Sequence, residues 1–445
     1  MITEASNRSA YEIFNIESAD GRMTVDLRDG VIAFAYFENI LTPSVTATAI
    51  ISNTGGNIVG KDGTAQGLYN GLPLRGGERV SIKIAANCET NKSLDFSEDE
   101  TKHFVVASIT NVLVDSEKES FTLNLVTREA FTNQTARVGK KYPTSQAISE
   151  TVSDILITYL KTKRIGIIDK TINNYGFIGN LKKPFHTINW LATKSVAYDG
   201  TQKSDSSAGF LFFQTQDGFN FRSIDNLIKG KPFGKEYVYT PGVIKENDPN
   251  RNFKIIKYSV DRNQDLMAKM MRGAFSSERY YINPVTFEPI IKQFKASDYT
   301  GRGGVNTLGD TLHLPSIGDE GNLGDLPTRI FVGMLDVGTV EKDVTDKGWD
   351  DAATRNADPM KTHAQTMMRY NQLMTQTITI TVPLNTNLTA GSLIKCNFPK
   401  IDREIRKEED PESSGLYMIK EMSHFFDTKS SFTRMALTRD SSGKK

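Results

Sequence analysis

The chain has 445 residues, with 54 Lys and Arg against 53 Asp and Glu, and a formal net charge of +1. This balance argues against a general binder of nucleic acid, which normally carries a basic excess, and leaves room only for a local basic patch. A mean hydropathy of −0.38, with no apolar run near the roughly 20 residues of a membrane helix, predicts a soluble globular protein of two to four domains without membrane insertion. The segment MITEASNRSAYEIF has no apolar signal core, so we expect a protein made and kept in the cytoplasm.

Residues 1–128 show the signals of an all-β domain. Tyr11–Leu27 carries Asp20-Gly21 at its centre, and Asp-Gly between two apolar-rich runs predicts a hairpin because the turn needs positive φ. Further along, Val45, Ala47 and Ala49 alternate with threonines, as in a half-buried strand. Strands at this spacing, with turn residues between them, predict a small barrel or sandwich.

One stretch of the chain occurs twice. FVVASITNVLVDSEKESFTLNLVTRE, which ends at Glu129, matches GLYMIKEMSHFFDTKSSFTRMALTRD, which ends at Asp440, without gaps. The match places Phe121 over Phe432 and Arg128 over Arg439. Each copy predicts a hairpin, and each follows a strand opened by a glycine, Gly77 or Gly391.

A second repeat supports the first. Phe210–Ile224 carries Asp217-Gly218 where the N-terminal hairpin carries its own Asp-Gly, so hairpin, glycine-led strand and closing hairpin occur twice in the same order. This order favours duplication of a β-domain. A chance likeness between short hairpins is the alternative.

Between the two copies the pattern becomes helical. Ile148, Val152, Ile155, Leu156 and Tyr159 recur at helical spacing and predict an amphipathic helix from Ser145 to Lys161. A second, shorter helix is predicted over Ile188–Val196. Residues 129–207 therefore form a mixed α/β insertion.

The second β-unit is predicted to begin near Ala208 and to be interrupted. Asp261–Arg272 predicts a helix with a methionine-rich face, stopped at Gly273, and residues 297–327 read as a long loop. Strand character returns over Arg329–Val337. A helix over 359–375 then leads into a strand over Thr377–Leu384.

Chemical motifs are weak throughout. GGNIVGKD (55–62) resembles a phosphate-binding loop, but Asp62 stands where the motif needs Ser or Thr, and Gly63, Gly67 and Pro73 disfavour the required helix. The acidic pairs Glu98/Glu100 and Asp350/Asp351 could mimic a glycosidase dyad, although adjacency in sequence does not give the necessary separation. We expect no enzyme, and assign no catalytic, cofactor-binding or metal-binding residue.

The cysteines and histidines do not suggest a metal or disulfide site. Cys88 and Cys396 form no CxxC motif, so both are predicted to be small apolar residues associated with strands. The histidines are dispersed without ligand-like spacing: His103, His186, His313, His363 and His424. No cofactor is expected.

Several stretches together resemble the central baseplate hub protein of contractile-tailed (myovirus) phages, which is related to the hub domains of type VI secretion spikes. The stretches are Leu72–Glu78, Val126–Tyr142, Asn173–Val196, Thr377–Ile394 and the closing GLYMIKEMSHFF…MALTRDS. They cover most of the chain, and the resemblance is weakest over 297–360.

The resemblance implies an α+β, mainly β fold with two tube-like antiparallel β-barrels and inserted α/β domains. The expected limits are 1–128 for the first barrel, 129–207 for the α/β insertion, 208–228 with 329–445 for the second barrel, and 229–328 for a second insertion with a helix and a long loop. A homotrimer would then join the six-fold tail tube ring to the three-fold trimeric spike protein.

The implied partners also include other baseplate (wedge) proteins, and DNA could pass through the pore. The implied location is the tail baseplate of the virion, after assembly in the host cytoplasm. Two alternatives from other functional classes remain: a tail-associated cell-wall hydrolase and a glycan-binding tail module.

Overall fold

The structure is a computed structural model, and the chain is mainly β. It describes residues 9–53, 58–59, 65–72, 74–88, 90–98, 101–115, 118–198, 208–241, 248, 250–261, 265–282, 287, 289–298, 306–310, 316, 321–334, 359–400, 408–441 and 443.

Most strands belong to one large sheet, which has fifteen strands within the described residues. They are β1 (Tyr11–Glu17), β2 (Thr24–Asp26), β3 (Val31–Asn39), β4 (Thr46–Asn53), β7 (Arg79–Ile84), β8 (Leu94–Phe96), β9 (Phe104–Val114), β10 (Glu119–Thr127), β16 (Tyr237–Tyr239), β17 (Lys254–Ile255), β18 (Lys257–Asp261), β22 (Gln376–Pro383), β23 (Leu393–Asn397), β24 (Gly415–Asp427) and β25 (Ser431–Arg439).

The remaining strands form four small sheets. They are β5 (Ile58–Val59) with β6 (Ala65–Gln66); β11 (Lys141–Tyr142) with β13 (Phe177–Ile178); β12 (Ile165–Ile168), β14 (Phe210–Thr215) and β15 (Gly218–Ser223); and β19 (Ser276–Ile282), β20 (Pro289–Lys295) and β21 (Ile330–Met334).

Helices are short and lie between the strands. The α-helices are α1 (Leu68–Gly71), α2 (Arg128–Thr135), α3 (Ile148–Thr158), α4 (Pro184–Ala192), α5 (Ile224–Ile228), α6 (Leu266–Met271) and α7 (Pro359–Gln372), and the 3-10 turns are Arg28–Gly30, Arg251–Phe253 and Ala296–Asp298.

The first β-unit comprises β1, β3, β4, β7, β9 and β10 around one apolar core. Its strands alternate in burial as the sequence predicts. In β4, for example, Ala47, Ala49 and Ile51 are buried, while Thr48 and Ile50 between them face away from the core. In β10, Phe121, Leu123 and Leu125 are likewise buried, and the residues between them are only half-buried.

The second β-unit comprises β16, β18, β22, β23, β24 and β25 around a core of its own. In β22, Ile378, Ile380 and Val382 are buried between half-buried threonines, which repeats the pattern of β4. Met435 and Leu437 of β25 complete this face.

The two units share one strand order. Side by side, the first runs β3-β4-β10-β9-β7-β1 and the second runs β18-β22-β25-β24-β23-β16. If the six strands of each unit are numbered in chain order, both units have the spatial order 2-3-6-5-4-1. One difference is that β1 pairs antiparallel with β7, whereas β16 pairs parallel with β23.

The two glycines that open strands occupy the same place in both units. Gly77 N donates to Val106 O over 2.8 Å, and Gly391 N donates to Ile419 O over 2.8 Å. Both glycines have positive φ, +95° and +85°, which a residue with a side chain rarely adopts. The sequence therefore identified a true structural repeat at these positions.

The residue-by-residue match between the hairpins is wrong. Each hairpin has a bulge, which leaves Leu125 opposite Val106 in one and Leu437 opposite Ile419 in the other. Leu125 and Leu437 are thus equivalent, one residue away from the gapless match. Because neighbouring side chains in a strand face opposite ways, Phe121 is buried while Phe432 lies on the other face.

The same slip separates the two arginines that the sequence aligned. Arg439 is buried at the end of β25, where it is equivalent to Thr127. Arg128 instead begins α2.

Two segments pair differently from the sequence expectation. The hairpin of β14 and β15 was expected in the second barrel, but it pairs with β12 in a separate sheet. β21 was assigned to the same barrel and pairs instead with β19. The strands that do join the second unit ahead of β22 are β16 to β18, from the region expected to be the second insertion.

The α/β segment packs helices against the sheet of β12, β14 and β15. The apolar stripe predicted for α3 is buried, with Val152, Ile155 and Leu156 all inaccessible to solvent. They pack with residues of α4 and with Phe212 and Phe219 of the hairpin. The hairpin of β14 and β15 is thereby part of the apolar core of the α/β segment.

Candidate assembly surface

The two β-units are joined through strand β24. Its N-terminal part, Gly415–Met418, pairs with β23 of its own unit, and its C-terminal part, Glu421–Asp427, pairs antiparallel with β3 of the first unit. The change of partner occurs at the bulge residue Lys420, whose carbonyl accepts a hydrogen bond of 2.9 Å from Ile40 N. A continuous sheet therefore crosses from one unit to the other.

Aromatic side chains pack across this junction. The rings of Tyr36 and His424 stack with centroids 5.9 Å apart, and those of Phe34 and Phe426 lie 6.1 Å apart. Burial lowers the pKa of His424 to about 3, so the ring is neutral. Its Nδ1 lies 2.9 Å from Thr433 Oγ1. The junction is thus a packed interior.

Glu38 holds three parts of the chain together. Its Oε1 accepts from Tyr36 Oη and from Gln216 N, each over 2.7 Å, and its Oε2 accepts from Ala390 N over 2.7 Å. Gln216 follows β14 in the α/β segment and Ala390 precedes β23 in the second unit. Burial raises the pKa of Glu38 to about 7.

A second buried polar group lies where α7 crosses the C-terminus. Arg369 donates to Asp225 of α5, to Asp440 over 3.4 Å and to Asn306 O over 3.2 Å. Burial raises the pKa of Asp440 above its usual value, and Leu308 N donates to that carboxyl over 2.9 Å. Each partner comes from a different segment, so this cluster fixes their relative positions.

The phosphate-loop candidate does not lead into a phosphate-binding helix. Lys61 and Asp62 lie outside the described residues, while Ile58–Val59 and Ala65–Gln66 flank them as a hairpin. A short helix does form nearby, although the glycines and the proline were expected to disfavour one. This four-residue helix, α1, begins at Leu68. Its first amides, from Leu68 and Tyr69, donate to the Glu119 carboxylate of the same chain.

The acidic and histidine candidates show no shared site. Glu98 is exposed and pairs with Lys102 over 3.0 Å, and its neighbour Glu100, the pair Asp350/Asp351 and His313 lie outside the described residues. His363 contacts Arg279. Among the described side chains, no group of three or more His, Cys, Asp or Glu could hold a metal ion. Nor is any described helix long and apolar enough to cross a membrane.

The two cysteines differ. Cys396 is buried in β23, as predicted. Cys88 is not in a strand but in the bend after β7, half-buried, with its sulfur 3.1 Å from Thr90 Oγ1 and 3.7 Å from Asn252 Nδ2. The polar contacts of Cys88 contradict the apolar role predicted for it.

Sequence reasoning missed Glu38, His424 and Arg369. For two of them the available signal was an ionisable residue beside large apolar residues: Glu38 ends VIAFAYFE, and His424 precedes Phe425 and Phe426 in MIKEMSHFF. A charge in such a place must find a partner when it is buried. The sequence does not show which distant segment supplies that partner.

Known proteins resemble the chain in sequence and in fold, although no protein-family profile matches it. The "Probable baseplate hub protein gp334" of Vibrio phage KVP40 is 23% identical over 331 residues, covering 72% of this chain and 71% of that protein. The predicted resemblance to phage baseplate hub proteins is thereby confirmed.

Two solved structures share the fold. They are the 43 kDa tail protein of prophage MuSo2 from Shewanella oneidensis, covering 96% of this chain and 98% of that one, and the tail protein from Neisseria meningitidis MC58, covering 97% of each. Both are 10% identical to this chain and superpose with a TM-score of 0.50.

Proposed function

We propose that this protein is a structural, non-enzymatic baseplate hub of a contractile phage tail. The observation that carries the proposal is the strand order that occurs twice in one chain, in two units joined by β24. The proposal is also supported by the sequence relative from Vibrio phage KVP40, which is named a probable baseplate hub protein.

The two units are proposed to be tube-like barrels, with revised limits. The first barrel spans 1–128 and the α/β insertion spans 129–207, extended by the hairpin of β14 and β15. The second barrel is built from β16–β18 and from 376–439, because those are the strands that pair. The sheet of β19, β20 and β21 belongs to the second insertion.

Three such chains would form the symmetry adaptor. Two similar units in each of three chains give six near-equivalent surfaces for a six-fold tail tube ring. The inserted segments occur once in each chain, so they leave the other face three-fold for a trimeric spike protein. Wedge proteins would bind around the ring and DNA would pass through it, in the tail baseplate of a virion assembled in the host cytoplasm.

Electron microscopy tests the proposal directly. Purified protein should have the mass of three chains and give negative-stain class averages of a ring with six similar densities. Monodisperse single chains at high concentration, without rings, would contradict the trimeric hub.

Activity assays test the two alternatives. A cell-wall hydrolase would clear a peptidoglycan zymogram, and a glycan-binding module would bind glycans saturably without forming rings. We expect neither result from the purified protein.

A further inference from the structure

One edge of strand β9 is open. Residues 108–114 hydrogen-bond to β10, whereas β7 reaches β9 only at its first residues, and no other described strand pairs with this edge. The end of the strand exposes apolar side chains, with Leu113 70% and Val114 65% accessible. The strand sequence FVVASITNVLV contains no charge and no proline, which are common protections of a free edge.

Strand β18 of the second unit has an open edge as well. It pairs with β22 on one side, and no described strand lies on its other side. The strand is KYSVD, with Val260 partly exposed. Within the described residues, each β-unit therefore has a strand edge without a partner, on β9 in the first unit and on β18 in the second.

The repeat shows how these edges correspond to the junction within the chain. Leu125 pairs with Ala47 and Leu437 pairs with Ile378, so Ala47 and Ile378 are equivalent. Ala47 pairs in turn with Tyr36, and Ile378 with Val260. Strand β18 is thus the counterpart of β3.

The same reasoning makes β9 the counterpart of β24, since their bulges coincide opposite Leu125 and Leu437. Within the chain, β24 pairs antiparallel with β3. The counterpart of that pairing would join β9 to β18. The two strands have no such contact within one chain, so the contact requires a second copy.

We infer that the outer edge of β9 in one subunit pairs antiparallel with β18 of the neighbouring copy of this chain. This inference rests on the proposed ring and identifies the strands that close it. The intramolecular pair of Ser423 with Phe37 places Thr110 opposite Asp261. The pair of Phe425 with Ala35 places Leu113 opposite Ser259.

An irregularity in β9 sets this register. Asn111 has a φ of +53°, and the pairing with β10 shifts between Thr110 and Leu113, so one additional residue is accommodated there. The extra residue moves Leu113, rather than Val112, opposite Ser259. A bulge can also protect an edge from pairing. If the bulge protects the edge of β9 in this way, cysteines placed at positions 113 and 259 will not form a disulfide between subunits.

The edges belong to a head-to-tail interface because two different strands meet. Such contacts generate a ring when the rotation closes. Each subunit would use both edges, and every junction of a six-unit ring would then contain a similar strand pair. Three of these junctions are intramolecular and three are between subunits.

A disulfide test measures the register. In a Cys88→Ser background, Leu113→Cys combined with Ser259→Cys should cross-link under mild oxidation to a covalent three-chain species, because facing residues of antiparallel strands have Cα atoms within disulfide range. Leu113→Cys with Lys257→Cys is the register control, on the same side of β18 but two residues away. Ala35→Cys with Phe425→Cys should instead form a disulfide within one chain.

A second measurement avoids the disulfide. Leu113→Lys places a charge on the edge and should raise the dissociation constant of the assembly at least tenfold in sedimentation velocity. Ile178→Lys is the control, because Ile178 lies in the α/β segment and is exposed to a similar extent, 68%. It should leave assembly unchanged.

The outcomes separate this inference from the hub proposal. Trimers without the Leu113–Ser259 cross-link, or with an equally efficient Leu113–Lys257 cross-link, would overturn the inference and leave the hub intact. Efficient cross-linking into rings of another number would support the strand pairing and contradict the trimeric hub. Chains that remain monomeric would contradict both.

Discussion

At the scale of single residues, Glu38 is the clearest case of a buried charge with a structural purpose. A carboxyl that accepts three hydrogen bonds from three segments fixes those segments in relation to each other. Burial nevertheless disfavours its ionised form, which raises its pKa to about 7. Glu38 should therefore be one source of pH dependence in the stability of the protein.

We predict that Glu38→Gln removes part of this pH dependence. The protonated carboxyl stabilises the fold below pH 4.5, and that contribution is lost as pH rises from 4.5 to about 7. A pKa shift of this size corresponds to about 3 kcal/mol. Relative to the variant, the wild type should lose this much free energy of unfolding across that range, as measured by urea denaturation.

The control for this prediction is Glu98→Gln, which removes an exposed carboxyl of the same charge. A wild-type protein whose stability follows that of Glu38→Gln at every pH would show that Glu38 is not held in a buried site.

At the scale of elements, the sequence predicted the hairpins better than their partners. Asp-Gly turns and alternating threonines are local signals, so β1, β4, β14 and β15 could be recognised from neighbouring residues. Which sheet a hairpin joins depends on distant contacts. The hairpin of β14 and β15 is the example, since Phe212 and Phe219 pack against the helices of the α/β segment.

The same limit explains why the repeated hairpins slip against each other, by one residue between β10 and β25. The gapless match followed identical letters, Phe121 with Phe432, whereas equivalence is set by the bulges opposite Leu125 and Leu437. A bulge has no reliable sequence signature, and a one-residue shift exchanges the two faces of a strand. The open edges of β9 and β18 were missed for a similar reason, because an edge is defined only by which strands lie beside it.

The strand-opening glycines give a matched prediction. Gly77→Ala and Gly391→Ala both place a side chain at positive φ, which costs about 1–2 kcal/mol. A Cβ at position 391 would also lie 3.0 Å from the ring of Phe213, whereas no described atom lies within 4 Å of one at position 77. Gly391→Ala should therefore lower the urea midpoint more than Gly77→Ala. Equal losses would mean that the ring of Phe213 moves freely.

At the scale of the whole molecule, the two units are not independent domains. Strand β24 contributes Tyr417, Ile419 and Met422 to the core of the second unit and Phe426 to that of the first. The first core also includes Leu384, which follows β22. Separating the units would expose both cores. The proposed role as a hub between tube and spike would require this rigidity.

We therefore predict that the two units unfold together. Leu125→Ala in the first core and Leu437→Ala in the second remove equivalent buried side chains, and each should cost about 2–5 kcal/mol. If the chain opens as one unit, either variant lowers the free energy of hydrogen exchange in both β10 and β22 by the same amount. Mass spectrometry of peptides from these strands measures both changes in one experiment. Loss of protection in β10 alone after Leu125→Ala would show that the first unit opens by itself, in which case β24 would join two separable units.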